Sequence, residues 1–187
     1  MFIIYATIML KYYCGRLHRG VIAMDKIKMN TKIYTLVIAL VLVFAQVASA
    51  AYNINPASER AIVVADNILA WQTESGGWTK NTDFSTVMWK PGMKKGEVNR
   101  DGIEVGTFDN SASLDEMRFL ASVYKAQGGE KYKESFMRGL EWMLAAQYPS
   151  GGWPQFYPLR NGYWDQVTYN DNAMPRILNF VEELLNN

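Results

Sequence analysis

Cysteine and histidine are almost absent from this chain. It contains one of each, Cys14 and His18, and both precede Ala51. Residues 51–187 therefore cannot form a disulfide, a Cys/His zinc site, a Ser-His-Asp triad or a Cys-His dyad. Any chemistry in this segment must use carboxylates, lysine, arginine, tyrosine, or a hard cation bound by oxygen ligands.

Long hydrophobic runs are also scarce. Residues 33–44 form an apolar run that is shorter than the roughly 20 residues of a membrane span. Three lysines between positions 26 and 32 precede it, and small residues follow up to Ala50. This pattern predicts an upstream extension plus a secretory signal peptide over residues 1–50, cleaved after Ala50, with an uncleaved membrane anchor as the alternative. We expect a secreted or periplasmic protein without stable membrane association after cleavage, with residues 51–187 as its folded part.

An excess of positive charge is missing from the predicted mature segment. Six of the 19 lysines and arginines, but only one of the 18 acidic residues, precede Ala51, so residues 51–187 have a net charge of −4. Nucleic-acid-binding domains carry clustered basic residues instead. The composition therefore predicts no nucleic-acid partner, and the sequence indicates no protein partner.

Apolar residues at helical spacing predict four helices after Ala51. They cover residues 57–72, 114–127, 130–147 and 173–185. Ser113 and Glu116 have the spacing of a capping box at the start of the second helix. Gly128-Gly129 is too short a connection for anything but antiparallel neighbours, so the second and third helices should form an αα-hairpin.

A repeat relates the two halves of this helical region. Residues 71–78 (WQTESGGW) resemble residues 146–153 (AQYPSGGW), and each copy is a helix ending in glutamine, a Gly-Gly-Trp turn, an irregular stretch and another helix. Such helix pairs cannot bury their apolar faces alone and stack on their neighbours. We expect an all-α fold, an incomplete α/α toroid of the (α/α)3 type, with long irregular loops lining a cleft.

Two aspartates stand before helices in similar surroundings. Asp109 lies in residues 107–110 (TFDN) and Asp171 in residues 169–172 (YNDN). Both could be simple helix caps, since aspartate and asparagine are preferred there. Alternatively, carboxylates at matching positions of adjacent repeats could converge in one cleft and bind Ca²⁺.

Aromatic residues accompany these aspartates. Trp78 and Trp153 follow the Gly-Gly turns, where a tryptophan commonly packs into the core. Tyr163 and Trp164 lie close to Arg160 in a segment that is rich in polar residues. That composition suits stacking on sugar rings, with polar groups reaching hydroxyls or carboxylates.

Four ordered motifs carry a family resemblance. Residues 76–81 (GGWTKN), 107–110 (TFDN), 151–158 (GGWPQFYP) and 169–174 (YNDNAM) resemble the pectate lyases of polysaccharide lyase family 10. The resemblance covers essentially all of residues 58–185. It implies an α/α toroid that cleaves polygalacturonate, the acidic chain of pectin, by β-elimination with a bound Ca²⁺ ion.

The resemblance also implies roles for individual residues. The positions that match the calcium-binding aspartates of the family are Asp109 and Asp171. The expected substrate contacts are Lys80, Asn110, Arg160, Asn172, Tyr163 and Trp164.

The family's proton-abstracting base is an arginine that follows the last of these motifs. It is expected beyond Asn187, so the chain resembles the N-terminal part of a family member, and no catalytic residue is assigned within it. Arg118 and Arg176 lie near the two motifs, but nothing in the sequence makes either a replacement. The alternative functions are a non-catalytic toroid that binds pectin, or a glycoside hydrolase with paired carboxylates.

Overall fold

The computed structural model describes residues 52–186, and the predicted signal peptide lies outside them. The described part is mainly helical, with α1 at Glu59–Trp71, α2 at Leu114–Gln127, α3 at Glu130–Ala145 and α4 at Ala173–Asn186. All four predicted helices are confirmed, each to within two residues at either end. Within residues 52–186, no helix combines the length and the apolar character needed to cross a membrane.

Helices α2 and α3 form the predicted hairpin. Gly128 and Gly129 both have positive φ angles, +75° and +97°, which residues with a side chain rarely adopt. Helix α1 contacts both members of the hairpin, and α4 packs against α2. The four helices thus share one core, and a ribbon joins the two long loops, residues 72–113 and 146–172.

The aliphatic residues of α1 are not all buried to the same extent. Ala61, Val64 and Ile68 are buried, whereas Ile62 is only half-buried. The two glycine-linked tryptophans are buried as predicted, with Trp78 at 0 % and Trp153 at 3 % exposure. On α4, Leu178 is 52 % exposed.

The two Gly-Gly-Trp turns have the same hydrogen bonds. The indole Nε1 of Trp78 donates to the carbonyl of Ile68, and that of Trp153 donates to the carbonyl of Met143, each at 2.8 Å. In both repeats the glutamine at the end of the helix donates from Nε2 to the carbonyl of the first glycine, at 2.7 and 3.0 Å. The sequence repeat is therefore a structural repeat.

A short antiparallel ribbon joins the loops of the two repeats. Strand β1 is Gly106–Thr107 and strand β2 is Phe156–Tyr157, with Thr107 opposite Phe156. The hydroxyl of Thr107 also donates to the carbonyl of Gln155 at 2.8 Å. This ribbon sets the relative position of the two loops that carry the polar motifs.

The capping box predicted at Ser113 and Glu116 is wrong. Ser113 has a φ of +67°, and its side chain makes no capping hydrogen bond. Its hydroxyl instead accepts from the backbone N–H of Trp78 at 2.9 Å and donates to the carbonyl of Thr107 at 2.9 Å. The serine therefore ties the first repeat's turn to the ribbon rather than starting the helix.

Candidate functional site

Asp109 lies in the loop between α1 and α2, two residues after the end of β1. It begins a short 3-10 turn, Asp109–Ser111, and its side chain is only 1 % exposed. The Oδ2 atom accepts hydrogen bonds from the ammonium of Lys80 and from Nε2 of Gln155, the latter at 2.8 Å. The other oxygen, Oδ1, is buried and has no hydrogen-bond partner within the described residues.

The two donors to Asp109 are equivalent residues of the two repeats. Lys80 is the second residue after Trp78, and Gln155 is the second residue after Trp153. Gln155 was not among the predicted site residues. The sequence repeat could have identified it, because alignment of the two Gly-Gly-Trp turns makes Gln155 equivalent to Lys80, which was predicted.

The second polar motif is also anchored to its turn in the same way as the first. The backbone N–H of Thr107 donates to the carbonyl of Trp78 at 3.0 Å. The backbone N–H of Thr168 donates to the carbonyl of Trp153 at 2.8 Å. Thr107 and Thr168 are therefore equivalent and define the register of the two motifs.

This register corrects the predicted match between the two aspartates. Counted from the threonines, Asp109 corresponds to Asn170, and Asp171 corresponds to Asn110. Asn110 and Asp171 share the left-handed backbone conformation, with φ of +52° and +46°, which asparagine and aspartate tolerate better than most residues. The carboxylates thus occupy neighbouring, not matching, positions of the two turns.

The two aspartates nevertheless meet. The turns that hold them are in contact, and the Asp171 carboxyl lies within hydrogen-bonding reach of Asp109. Burial alone would raise the pKa of Asp109, but hydrogen bonds from Lys80 and Gln155 outweigh it and hold the pKa below its ordinary value. Asp109 is therefore ionised at neutral pH, beside an exposed Asp171 whose Oδ2 accepts from Asn170 at 2.9 Å.

A pocket of about 420 Å³ is lined by residues that adjoin this pair. Two predicted substrate contacts, Lys80 and Asn110, line it together with Asn81. Glu116 and Tyr52 also line it, and the Tyr52 hydroxyl donates to Glu116 Oε1 at 2.8 Å. This pocket is polar and contains several ionisable groups.

A second pocket of about 280 Å³ also has lining residues next to the pair, Gln155 and Asn170. Tyr163 and Trp164 line it as predicted, with their rings 4.3 Å apart. Gln155 lines it too, so one side chain contacts both Asp109 and this aromatic pocket. Tyr169 adds a ring that is 79 % exposed.

Arg160 lies beneath the aromatic pocket. Its guanidinium is 4.4 Å from the ring centre of Trp164 and 5.0 Å from that of Phe156. It also forms a salt bridge with Glu97. Arg160 therefore supports Trp164 by stacking, and its expected contact with substrate stays a prediction.

Asn172 and Arg118 stand apart from these groups. Asn172 is exposed and lines neither pocket. Arg118 donates to Glu183 at 2.7 Å and to Asp115 at 3.0 Å. Its guanidinium is thus held in ion pairs with two carboxylates.

The arrangement around Asp109 suits a hard cation. Two carboxyls lie together, and a buried anionic oxygen, Asp109 Oδ1, has no donor. Among residues 52–186, however, no group of three or more Asp, Glu, His or Cys side chains could hold a metal ion. Since Ca²⁺ takes six to eight oxygen ligands, amide oxygens, water or a bound ligand would have to supply the remainder.

Comparison with protein families matches residues 72–187 to the pectic acid lyases. That segment is more than half of the chain. The chain belongs to the pectic acid lyase family.

Two solved structures are similar to this pectic acid lyase family member. One is a family 10 polysaccharide lyase from Cellvibrio cellulosa, with 38% identity and a TM-score of 0.55; the match covers 68% of this chain and 37% of the other. The second is a mutant of that family 10 lyase in complex with trigalacturonic acid, with 37% identity, a TM-score of 0.56 and coverage of 75% and 40%. No curated protein matches the chain.

These similarities confirm the predicted fold class. The helices of the family member described here form part of an α/α toroid, with loops lining the cleft between the repeats. The chain spans about two fifths of the length of the lyases it resembles. The activity, substrate and cation of the whole enzyme are therefore matters for proposal.

Proposed function

We propose that this chain carries the calcium-binding part of a pectate lyase, an enzyme that cleaves polygalacturonate by β-elimination. Membership of the pectic acid lyase family supports the reaction class. The similarity to a lyase in complex with trigalacturonic acid supports a polygalacturonate ligand. Asp109 carries the cation part of the proposal, because its bare, buried Oδ1 lies beside a second carboxyl.

Asp109 and Asp171 are the proposed ligands of Ca²⁺. Two adjacent carboxylates repel each other unless a proton or a cation lies between them. Because hydrogen bonds keep Asp109 ionised, a cation is the better fit. When bound, Ca²⁺ would act as a Lewis acid that stabilises the negative charge developing as the uronate C5 proton leaves.

The two pockets that adjoin the aspartates would hold the sugar chain. Tyr163 and Trp164 offer ring faces, on which the apolar faces of sugars can stack. Trp164 is held in place because Arg160 stacks under it and its backbone carbonyl accepts from the N–H of Gln155 at 3.0 Å. Asn110 faces the other pocket, where its amide can reach sugar hydroxyls.

A glycoside hydrolase is the less suitable alternative. Its two carboxyls stand about 5–10 Å apart, and one of them must be protonated to act as the acid. Here the carboxyls of Asp109 and Asp171 are within hydrogen-bonding reach, and the pKa of Asp109 is lowered. Both features favour cation binding over acid catalysis.

A protein that binds pectin without cleaving it is the other alternative. Within residues 52–186, Arg118 is held in ion pairs, and no residue is assigned as the proton-abstracting base. Binding requires only the aspartates and the aromatic pocket. Cleavage requires the base as well, so the two functions can be separated by experiment.

Incubation of the purified chain with polygalacturonate, with and without a chelator, tests the proposal. Chelator-sensitive growth of the ultraviolet absorbance of unsaturated uronides identifies a lyase. Calcium-dependent retention on polygalacturonate without such growth identifies a binding protein. Saturated products that form despite the chelator would identify a hydrolase and contradict the proposal.

We also propose that the chain is exported and cleaved after Ala50. The lysines, the apolar run and the small residues of positions 26–50 support this. Amino-terminal sequencing of protein from the culture medium or periplasm tests it. A start at Ala51 is the expected result, and an intact amino-terminal segment held in the membrane fraction would contradict it.

A further inference from the structure

The two oxygens of Asp109 have very different surroundings. Oδ2 accepts from two donors, Lys80 and Gln155, while the buried Oδ1 accepts from none among the described residues. The donors come from equivalent positions of the two repeats. One is a cation and the other is a neutral amide, so the site is symmetric in position and asymmetric in charge.

Lys80 already neutralises one of the two carboxylates. Its side chain is 28 % exposed, whereas that of Asp109 is 1 % exposed, so the ion pair is partly screened from water. A cation at Oδ1 would lie a few ångströms from this ammonium and would be repelled by it. The same ion pair occupies Oδ2, so Asp109 can offer the cation only one oxygen.

We propose that Lys80 is a positioning residue that keeps the calcium affinity of this site low, and that Gln155 holds the same oxygen without affecting the charge. The inference rests on the proposed calcium site. Lys80 compensates the carboxylate pair while the site is empty of cation. The protein then stays folded without Ca²⁺, and the uronate carboxylate of a bound sugar favours cation binding by offsetting the lysine charge.

Calorimetric titration of the purified chain with CaCl₂, without sugar, tests the proposal. Lys80→Met removes the ammonium and keeps the aliphatic stem, so Ca²⁺ should bind at least about tenfold more tightly than to the unmodified chain. Lys80→Arg keeps the charge and should stay within about threefold. Gln155→Met is the matched control at the equivalent position and should also stay within about threefold, because no charge is removed.

Thermal unfolding gives a second readout. A cation that binds only the folded state raises the Tm by an amount that grows with the logarithm of its concentration divided by its Kd. Millimolar CaCl₂ should therefore raise the Tm of Lys80→Met by several degrees more than that of the unmodified chain. Lys80→Gln, which retains a donor for Asp109, provides the same charge change if the methionine variant does not fold.

The result that overturns the proposal is a Lys80→Met chain that is folded and binds Ca²⁺ no more tightly than Lys80→Arg. An equal gain from Gln155→Met would also overturn it, since charge would then not be the cause. These outcomes leave the proposed function standing, which is judged by chelator-sensitive binding or cleavage of polygalacturonate. Loss of the chelator effect, conversely, would refute the calcium requirement itself.

Discussion

The two repeats share a frame and differ in chemistry. Trp78 and Trp153 make the same indole hydrogen bond to the preceding helix, and Thr107 and Thr168 make the same backbone bond to those tryptophans. The side chains that this frame presents are different. A regular backbone thus supports an asymmetric site, in which each repeat supplies one aspartate and one donor.

The offset between the aspartates is the clearest such difference. Asp109 is buried at the first position of its 3-10 turn, and Asp171 is exposed at the second position of the equivalent turn. The equivalent positions hold Asn170 and Asn110. Each turn therefore carries one carboxylate and one amide at these two positions, in opposite order, so the pair presents both kinds of oxygen.

Removing the carboxylate of the second repeat should have the largest effect. Asp171→Ala should abolish calcium-dependent binding of polygalacturonate, a loss of at least about 100-fold, because only one anionic oxygen would remain for the cation. Asp171→Asn removes the negative charge but keeps the backbone conformation, since asparagine tolerates the φ of +46°. Retention on polygalacturonate with increasing CaCl₂ measures both variants.

Asn170→Ser is the control for this prediction. It removes the amide that donates to Asp171 and leaves both carboxylates in place. We expect a loss of no more than about tenfold. Calcium dependence that survives in folded Asp171→Asn would refute the role of Asp171.

The glycines that precede the two tryptophans, Gly77 and Gly152, show how tightly each turn is packed. A Cβ at Gly77 would lie 2.6 Å from the ring of Trp142 and 2.9 Å from the Cα of Gly106. A Cβ at Gly152 would lie 2.6 Å from a methyl of Val167. A rigid indole and a backbone strand can give way less than a valine side chain in a half-buried loop.

Gly77→Ala should therefore destabilise the fold by about 3 kcal/mol, and Gly152→Ala by about 1–2 kcal/mol, as overpacking does elsewhere. Urea unfolding followed by tryptophan fluorescence measures the difference. Gly151, whose φ is +92°, is not a useful control because its backbone is strained for alanine. Equal costs at positions 77 and 152 would mean that the two turns are packed alike.

Local signals in the sequence predicted the helices and the repeat well. Glycine pairs, apolar spacing and the repeated GGW were sufficient, because each acts over a few residues. The capping box at Ser113 was wrong because a long-range contact took the serine hydroxyl for Trp78 and Thr107. Such a contact depends on the ribbon between the repeats, which no local pattern indicates.

The candidate site was predicted in part. Asp109, Asp171, Lys80, Tyr163 and Trp164 lie around the paired carboxylates and the two adjoining pockets. The register of the aspartates could not be read from the sequence, because asparagine is adjacent to both. Asp109 can be aligned equally well with Asp171 or with Asn170. Only the threonine bonds to the tryptophan carbonyls decide it.

The two repeats also differ at a buried helix position, which is ionisable in one repeat and apolar in the other. The register that makes Thr107 equivalent to Thr168 also makes Glu116 of α2 equivalent to Ile177 of α4. Both side chains are buried. The hydroxyl of Tyr52 donates to Glu116 Oε1, while Oε2 is buried without a hydrogen-bond partner among the described residues. Burial raises the pKa of Glu116 to about 7 from an ordinary value of 4.5, despite the Tyr52 hydrogen bond.

Glu116→Gln should stabilise the fold in a pH-dependent way. Because the folded state binds the proton more tightly than the unfolded state, the free energy of unfolding of the unmodified chain falls as the pH rises from 4.5 to 7. Glutamine does not ionise, so its advantage should be absent near pH 4.5 and reach about 1–2 kcal/mol above pH 7. The amide leaves an N–H without a partner, which keeps this gain below the full cost of ionisation.

Urea unfolding at pH 5 and pH 8 measures this change, with Ile177→Val as the matched control in the second repeat. The control should cost about 1 kcal/mol at both pH values, because it removes one buried methylene equivalent and no ionisable group. A Glu116→Gln advantage that is the same at both pH values would show that the buried carboxyl does not titrate between them. The polar residue in the first repeat would then cost stability through packing alone, and the pH dependence of folding would lie elsewhere.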